Sequence, residues 1–273
     1  GAEWTVLSHM YTLQVTDGKS PSKPLNIDIR YDRDATDADP RKFGIYRNDP
    51  ETNGGWLYAG GTVRIDDSRI DLETDQLGTF AVLLYLKTFR DLAGHWSRQD
   101  VEVLASRHIV HGTGPDTFQP DRAITRAEFT KLLMNVFGGK QAVGPSPVSF
   151  ADVTPDQWYY ETVMEAAAIG LVEGYDGKFR PYDNITREEA AVMLTRAIRS
   201  GNQPAVTPGT DPGRYEDWID VSDWAAESVA HAVRMGWMQG TGPNTLAPKV
   251  LTTRAQAAVL VLRILNSLGH INQ

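Results

Sequence analysis

One phrase recurs three times in the second half of this chain: Thr125-Arg126-Ala127-Glu128, Thr186-Arg187-Glu188-Glu189 and Thr253-Arg254-Ala255-Gln256. Each copy closes a longer repeated pattern and opens an apolar run with helical spacing. A unit of this size cannot bury its own apolar face and must pack on its neighbours. The repeat therefore restricts the chain to architectures in which three like units share contacts. It also multiplies any site that one unit builds, which favours multivalent binding over a single catalytic centre.

The register holds residue by residue. Trp96, Trp158 and Trp224 lie 62 and 66 residues apart, and Gly112, Gly174 and Gly240 keep those offsets. Pro120, Pro181 and Pro248 shift to 61 and 67, as do the three arginines. The one-residue change falls in the turn, where loops absorb length differences that helices cannot. Gly112-Thr113-Gly114-Pro115-Asp116-Thr117-Phe118 answers to the shorter Gly174-Tyr175-Asp176-Gly177-Lys178-Phe179, and Gly240-Thr241-Gly242-Pro243-Asn244-Thr245-Leu246 returns to the first form.

Each unit reads as helix, loop, helix. The first helix follows the tryptophan and presents Val101, Leu104, Ala105 and Ile109; its counterparts present Val163, Ala166, Ala167, Leu171 and Val229, Ala232, Val233, Trp237. That is the spacing of an amphipathic helix. Gly112, Gly174 and Gly240 are read as the positive-φ residues that end it. Threonine with Glu or Gln three residues later is a capping box, in which side chain and amide exchange hydrogen bonds at the helix start. The second helix then buries Phe129, Leu132, Leu133, Val136 and Phe137, or the matching sets around Met193 and Leu260.

The order Phe-x-Asp, Trp, helix, Gly, aromatic-x-Pro, Thr-Arg-Ala-Glu, helix resembles the S-layer homology domain, in three tandem copies over about residues 89–269. Phe89-Arg90-Asp91 and Phe150-Ala151-Asp152 begin the first two, and Tyr215-Glu216-Asp217 begins the third. The resemblance implies a mainly α, pseudo-threefold spindle of three helical hairpins, with repeats at 89–138, 150–200 and 215–269. It implies a noncatalytic carbohydrate-binding anchor, without cofactor or metal, on the surface of a Gram-positive cell. The implied ligand is a secondary cell wall polymer bearing ketal-linked pyruvate on N-acetylmannosamine. The departures are His108 for Gly170 and Gly236, Glu188 for Ala, Leu246 for Phe, and Gln256 for Glu.

The residues give this reading a physical basis. Arg126, Arg187 and Arg254 stand at the first helical position, beside N–H groups that a helix leaves unpaired. A guanidinium there can hold a carboxylate through two hydrogen bonds, and can equally tie neighbouring repeats through an Asp or a carbonyl. Trp96, Trp158 and Trp224 are read chiefly as core side chains fixing the start of the first helix, with an indole edge left for a sugar. Gly112, Gly174 and Gly240 would allow close approach of a ligand, though ending a helix already accounts for them. Tyr175, Thr113, Thr241, Asp116 and Asn244 are candidate polar contacts in the same turns, and Lys131 and Lys249 are extra cations near the arginines.

Residues 1–88 have another texture. Alternation in Thr12–Val15, Leu25–Ile29 and Thr62–Asp66, with turn clusters between, predicts short antiparallel strands in a β-sandwich-like module. The fold class is thus α+β. The segments Phe43–Tyr46, Trp56–Gly61 and Leu77–Val82 are similar to β-modules that precede S-layer homology repeats. Asp32, Asp34, Asp37 and Asp39 lack the glycine that an EF-hand loop needs at its sixth position and read as a solvated acidic loop.

Composition narrows the function further. The chain has no cysteine, so disulfides and thiolate metal sites are out. Its net charge of −8 divides into 10 basic and 14 acidic residues up to Thr88, and 17 and 21 after it. Neither part has the basic surplus of a nucleic-acid binder. The longest apolar run, Phe80–Leu86, is far short of the ~18–20 residues of a membrane span and fits a strand. No signal peptide opens the chain, and its abrupt start reads as the C-terminal piece of a longer exported protein, monomeric as this fragment. Two other functions fit the same residues: protein–protein contacts in a surface lattice, or binding of a neutral polysaccharide substrate of an upstream enzyme.

Overall fold

The computed structural model describes residues 2–15, 21, 23–49, 55–137, 149–199 and 211–271. The Gly/Pro-rich connections expected at 138–149 and 200–214 fall mostly outside them. The described residues form eight strands and six α-helices, a mixed α+β chain. They divide into two compact units, 1–118 with 264–273, and 119–263.

The β-rich segment holds two antiparallel sheets. In the first, β1 (Ala2–Val6), β8 (Gly78–Lys87), β4 (Phe43–Asn48) and β5 (Trp56–Gly60) run in that order, with β2 (Tyr11–Leu13) also on β8. The second runs β3 (Leu25–Arg30), β7 (Arg69–Thr74), β6 (Thr62–Arg64). Alternation in β3 and β7 points Ile29 and Ile70 inward and leaves Asp28 and Arg69 outside. Ile29, Val63 and Ile70 of one sheet join Phe43, Ile45, Phe80, Val82 and Leu84 of the other in a single core. Each such side chain, fully buried, contributes ~1.5–3 kcal/mol. The apolar run Phe80–Leu86 is indeed strand, in the middle of β8. β7 was not anticipated, because a strand with only two apolar residues gives a weak period-two signal.

Six α-helices follow, two to a repeat: α1 (Arg98–Ser106), α2 (Arg126–Phe137), α3 (Tyr160–Ala168), α4 (Arg187–Arg199), α5 (Asp223–Arg234) and α6 (Arg254–Ser267). Within the unit 119–263, close packing joins helices of successive repeats, α2 to α3 and α4 to α5. All three capping boxes form. Thr125, Thr186 and Thr253 donate their backbone N–H to Glu128, Glu189 and Gln256 at 3.0, 2.7 and 3.1 Å. The return bonds to the threonine hydroxyls are 3.3, 3.3 and 3.2 Å.

The helix-ending glycines are not those expected. Gly170 and Gly236, with φ of 73° and 71°, terminate α3 and α5. His108 takes the same left-handed turn after α1 at φ 56°. Its amide bonds to the Ala105 carbonyl and that of Ile109 to Leu104, the paired bonds of a Schellman ending. Gly112, Gly174 and Gly240 lie four residues further on and are glycine for another reason. A Cβ at 174 would stand 2.5 Å from Cε1 of Phe150, and one at 240 would stand 2.7 Å from Cε1 of Tyr215. At 112 it would stand 2.6 Å from Phe89. The glycine lets the turn close over the aromatic ring that begins each repeat.

Repeat 1 departs from the other two where it meets the β-rich segment. Arg107, 4% exposed, donates to the carbonyls of Phe43 (3.0 Å) and Gly61 (2.6 Å). Lys42 pairs with the buried Glu102 at 2.9 Å, and Tyr46 donates to the Ser106 carbonyl. The His108 ring stacks on Tyr85 at 4.5 Å. Repeats 2 and 3 carry Ile169 and Met235 where repeat 1 has Arg107. The histidine that interrupts the repeat is therefore a docking residue.

Candidate functional site

The site is built where repeats meet. Within the unit 119–263, three backbone amides form a closed cycle: Ile124 donates to Thr252, Thr252 to Ile185, and Ile185 to Ile124, at 2.9, 2.8 and 3.2 Å. Around it, each Thr-Arg phrase donates to the next turn. The amides of Arg126 and Ala127 reach the carbonyls of Asp183 and Pro181; those of Arg187 and Glu188 reach Val250 and Pro248. Those of Arg254 and Ala255 reach Arg122 and Pro120. The helix-start N–H groups expected to await an anion are thus already paired, and this corrects the sequence reading. Satisfying them within the protein removes the penalty of leaving buried donors unpaired.

The arginine side chains follow the same path with unequal outcomes. Arg187 is 5% exposed. Its Nε and Nη2 donate to the carbonyls of Leu246 and Gln239 at 3.0 and 2.6 Å. Arg126 is less buried, donates one bond to Glu173 at 2.7 Å, and lies over the Phe179 ring at 5.1 Å. Arg180 and Arg196 stand close enough to act on its charge. Burial pulls both guanidinium groups below their ordinary pKa, and for Arg126 the neighbouring arginines add to this. Arg254 lies 3.5 Å from Glu128, whose carboxylate also holds Arg122 at 2.5 Å. Arg126 and Arg187 therefore tie their repeats to the backbone of the next one, and Arg254 lies beside the capping glutamate of repeat 1.

The tryptophans stand elsewhere than their core reading placed them. Trp96, Trp158 and Trp224 are 62%, 59% and 60% exposed. The near-equal values recur at equivalent positions in three sequences that differ around them. Beside Trp158 lie Tyr159 (ring centroids 5.3 Å) and, on Tyr159, the exposed Tyr182. Tyr175 is the most exposed of the candidate aromatics, with Arg180 over its ring. Thr113 and Thr241 are exposed, and their amides close the turn onto Thr117 and Thr245. Asn244 bonds Glu216, and Asp116 faces Arg90. Thus the structure brings the glycines under the aromatic rings and the arginines into the junctions, and leaves the tryptophans facing solvent.

Sequence reasoning passed over one set of residues that shapes every turn. Asp152 accepts the amides of Phe179 and Arg180, both at 2.8 Å; Asp217 accepts those of Leu246 and Ala247 at 2.8 and 2.7 Å. Asp91 accepts that of Phe118. Burial pushes the Asp152 and Asp217 carboxyls up, but the amide hydrogen bonds outweigh it and hold both below the usual range. These bonds sustain a left-handed residue before each turn proline: Gln119, Arg180 and Ala247, at φ 58°, 62° and 57°. The signal was present, since the aspartate recurs in all three opening motifs.

The S-layer homology domain model matches residues 88–130, 149–191 and 214–258. The chain carries three S-layer homology domains. It is 35% identical over 233 residues to an amylopullulanase of Thermoanaerobacterium thermosulfurigenes, covering 85% of this chain and 12% of that protein. That match is too long to fit after residue 88, so it takes in part of the β-rich segment. An exoglucanase of Acetivibrio thermocellus is 33% identical over 187 residues, 67% of this chain and 17% of its own. The S-layer protein sap of Bacillus anthracis is 28% identical over 178 residues, 65% and 21% respectively. The chain thus spans a fifth or less of its enzyme relatives. S-layer homology domains are noncatalytic modules that anchor surface proteins to the cell wall, and these three belong to a secreted, surface-located protein. Among the described residues no helix is long and apolar enough to cross a membrane.

Proposed function

We propose that this chain holds an exported protein on the bacterial cell wall by binding a pyruvylated secondary cell wall polymer in grooves between its repeats. The three equally exposed tryptophans carry the reading. One exposed indole is ordinary, but the same 59–62% exposure at three equivalent places is a recurring surface feature that a ligand can cover. A sugar ring offers a flat apolar face of that kind, and the indole N–H can donate to its oxygens. The arginines and the turn residues Thr113, Tyr175 and Thr241 supply polar contacts around it. In this reading Gly112, Gly174 and Gly240 shape the turns that carry those contacts.

The fold serves the same end. We read the three hairpins as a pseudo-threefold spindle and the strands before them as a sandwich-like module. The chain works as a monomer and catalyses nothing; the activity of the whole protein belongs to its other parts. Several modest sites on one polymer raise the effective concentration for rebinding, so attachment outlasts any single contact. Binding to purified wall polymer, before and after chemical removal of the pyruvate ketals, is the test. Loss of binding on removal is expected, and unchanged binding would refute the pyruvate-dependent reading.

A further inference from the structure

The junctions between repeats 1 and 2 and between repeats 2 and 3 are alike in backbone and differ in charge arrangement. Between repeats 2 and 3, Glu188 replaces the alanine found at 127 and 255. Its residue is 3% exposed. Oε2 accepts the Ser222 amide at 2.9 Å and Oε1 accepts the Ser222 hydroxyl at 3.0 Å. Lys249 pairs with Oε1 at 2.6 Å and also touches the Ser222 hydroxyl. A carboxylate thus sits at the start of α5 on an amide, a hydroxyl and an ammonium, which is how proteins hold an anionic ligand. Here the anion belongs to the chain. Arg187 beside it is equally engaged, with two carbonyls on its guanidinium.

Between repeats 1 and 2 no buried carboxylate stands at the equivalent positions. Ala127 stands in place of Glu188, Asp156 in place of Ser222, and Tyr182 in place of Lys249. Tyr182 is 65% exposed and belongs to the aromatic group with Tyr159 and Trp158. The cations of this junction are the arginines: Arg126, whose Nε is buried without a hydrogen-bond partner, with Arg180 and Arg196 near it. Glu189 and Asp183 also act on Arg126, and Arg196 pairs with Glu173 at 2.8 Å, but no carboxylate is bonded to the Arg126 side chain among the described contacts.

We propose that Glu188 is a built-in ligand that closes the junction between repeats 2 and 3, so that an anionic glycan is taken at the junction between repeats 1 and 2. This rests on the reading of the junctions as glycan sites and names which one works. It assigns Arg126, Trp158 and Tyr182 to the occupied site, and leaves Lys249 and Ser222 as a second site that the chain itself fills.

Calorimetric titration of the full chain with the pyruvate ketal of N-acetylmannosamine tests this. The wild type is expected to bind one molecule with a requirement for Arg126, so that Arg126→Ala weakens binding at least tenfold. Glu188→Ala frees Lys249 and Ser222, and the stoichiometry rises towards two. Glu188→Gln keeps the hydrogen-bonding shape if the alanine variant folds poorly, and the lost charge should still admit a second, weaker molecule. Unchanged stoichiometry in both Glu188 variants, or a wild type indifferent to Arg126→Ala, overturns the proposal while leaving glycan binding intact. No heat from any of the proteins, wild type included, overturns the anionic-glycan reading and this proposal with it.

Discussion

His108 Nε2 lies 3.2 Å from the Tyr46 hydroxyl, joining the first repeat to the strand at the centre of the β-rich segment. The imidazole is enclosed by Trp4, Tyr46, Tyr58 and Tyr85. It holds a left-handed backbone that costs ~1–2 kcal/mol in a residue with a side chain. The two other repeats, with no such partner, use glycine. The contact explains why one copy breaks the pattern.

This enclosure makes the docking sensitive to acid. Burial first, and the nearby His111 second, lower the His108 pKa from 6.5 to about 4. The rings of Trp4, Tyr46, Tyr58 and Tyr85 also face it, and none of them is a carboxylate. Because the folded pKa lies below the unfolded one, the stabilisation is full above pH 6.5 and is lost as pH falls towards 4. Denaturant unfolding at pH 7 and pH 4.5 should show a fall in wild type that shrinks in His108→Gly. Equal falls in both would remove His108 from the account.

Two glycines should respond differently to the same methyl group. Gly174→Ala places a Cβ 2.5 Å from a ring carbon of Phe150, in a turn whose carbonyls leave it no room. Overpacking of this kind costs ~1–3 kcal/mol. At Gly170 no atom lies within 4 Å of the added carbon, and only its left-handed φ is penalised, by about 1 kcal/mol. Thermal melts of the two variants measure the difference; a larger loss at 170 would contradict the packing argument.

Arg187 should matter more for folding than Arg126. Truncating it strands the carbonyls of Leu246 and Gln239, and an unpaired buried acceptor costs ~1–3 kcal/mol. Arg126→Ala removes one carbonyl bond and a ring contact. Melting temperatures of the two variants should rank in that order, and the reverse ranking would mean that the burial of Arg187 does not set its role.

Trp158→Ala should separate binding from stability. An indole that is 59% exposed supports little of the fold, so unfolding should change by only ~0.5 kcal/mol. Affinity for the wall polymer should fall about tenfold or more, as for an aromatic anchor at an interface. A variant that melts early and binds normally would return the tryptophan to a structural role.

The sequence by itself determined whatever is settled within a few residues. The capping boxes were legible because Thr and Glu or Gln three positions apart meet on any helix that starts there. The helical faces and the alternation of β3 follow from backbone period alone, and the threefold repeat from its own recurrence. The tertiary structure decided what depends on residues far apart in the chain. It turned the tryptophans outward, placed Gly112, Gly174 and Gly240 under aromatic rings 23 to 25 positions earlier, and paired the helix-start amides with carbonyls of another repeat. It also gave Glu188 a hydroxyl, an amide and an ammonium from the next repeat. A spacing rule carries no information about such partners, because the energy of burying a donor, a ring or a charge is set by what the rest of the chain brings to it.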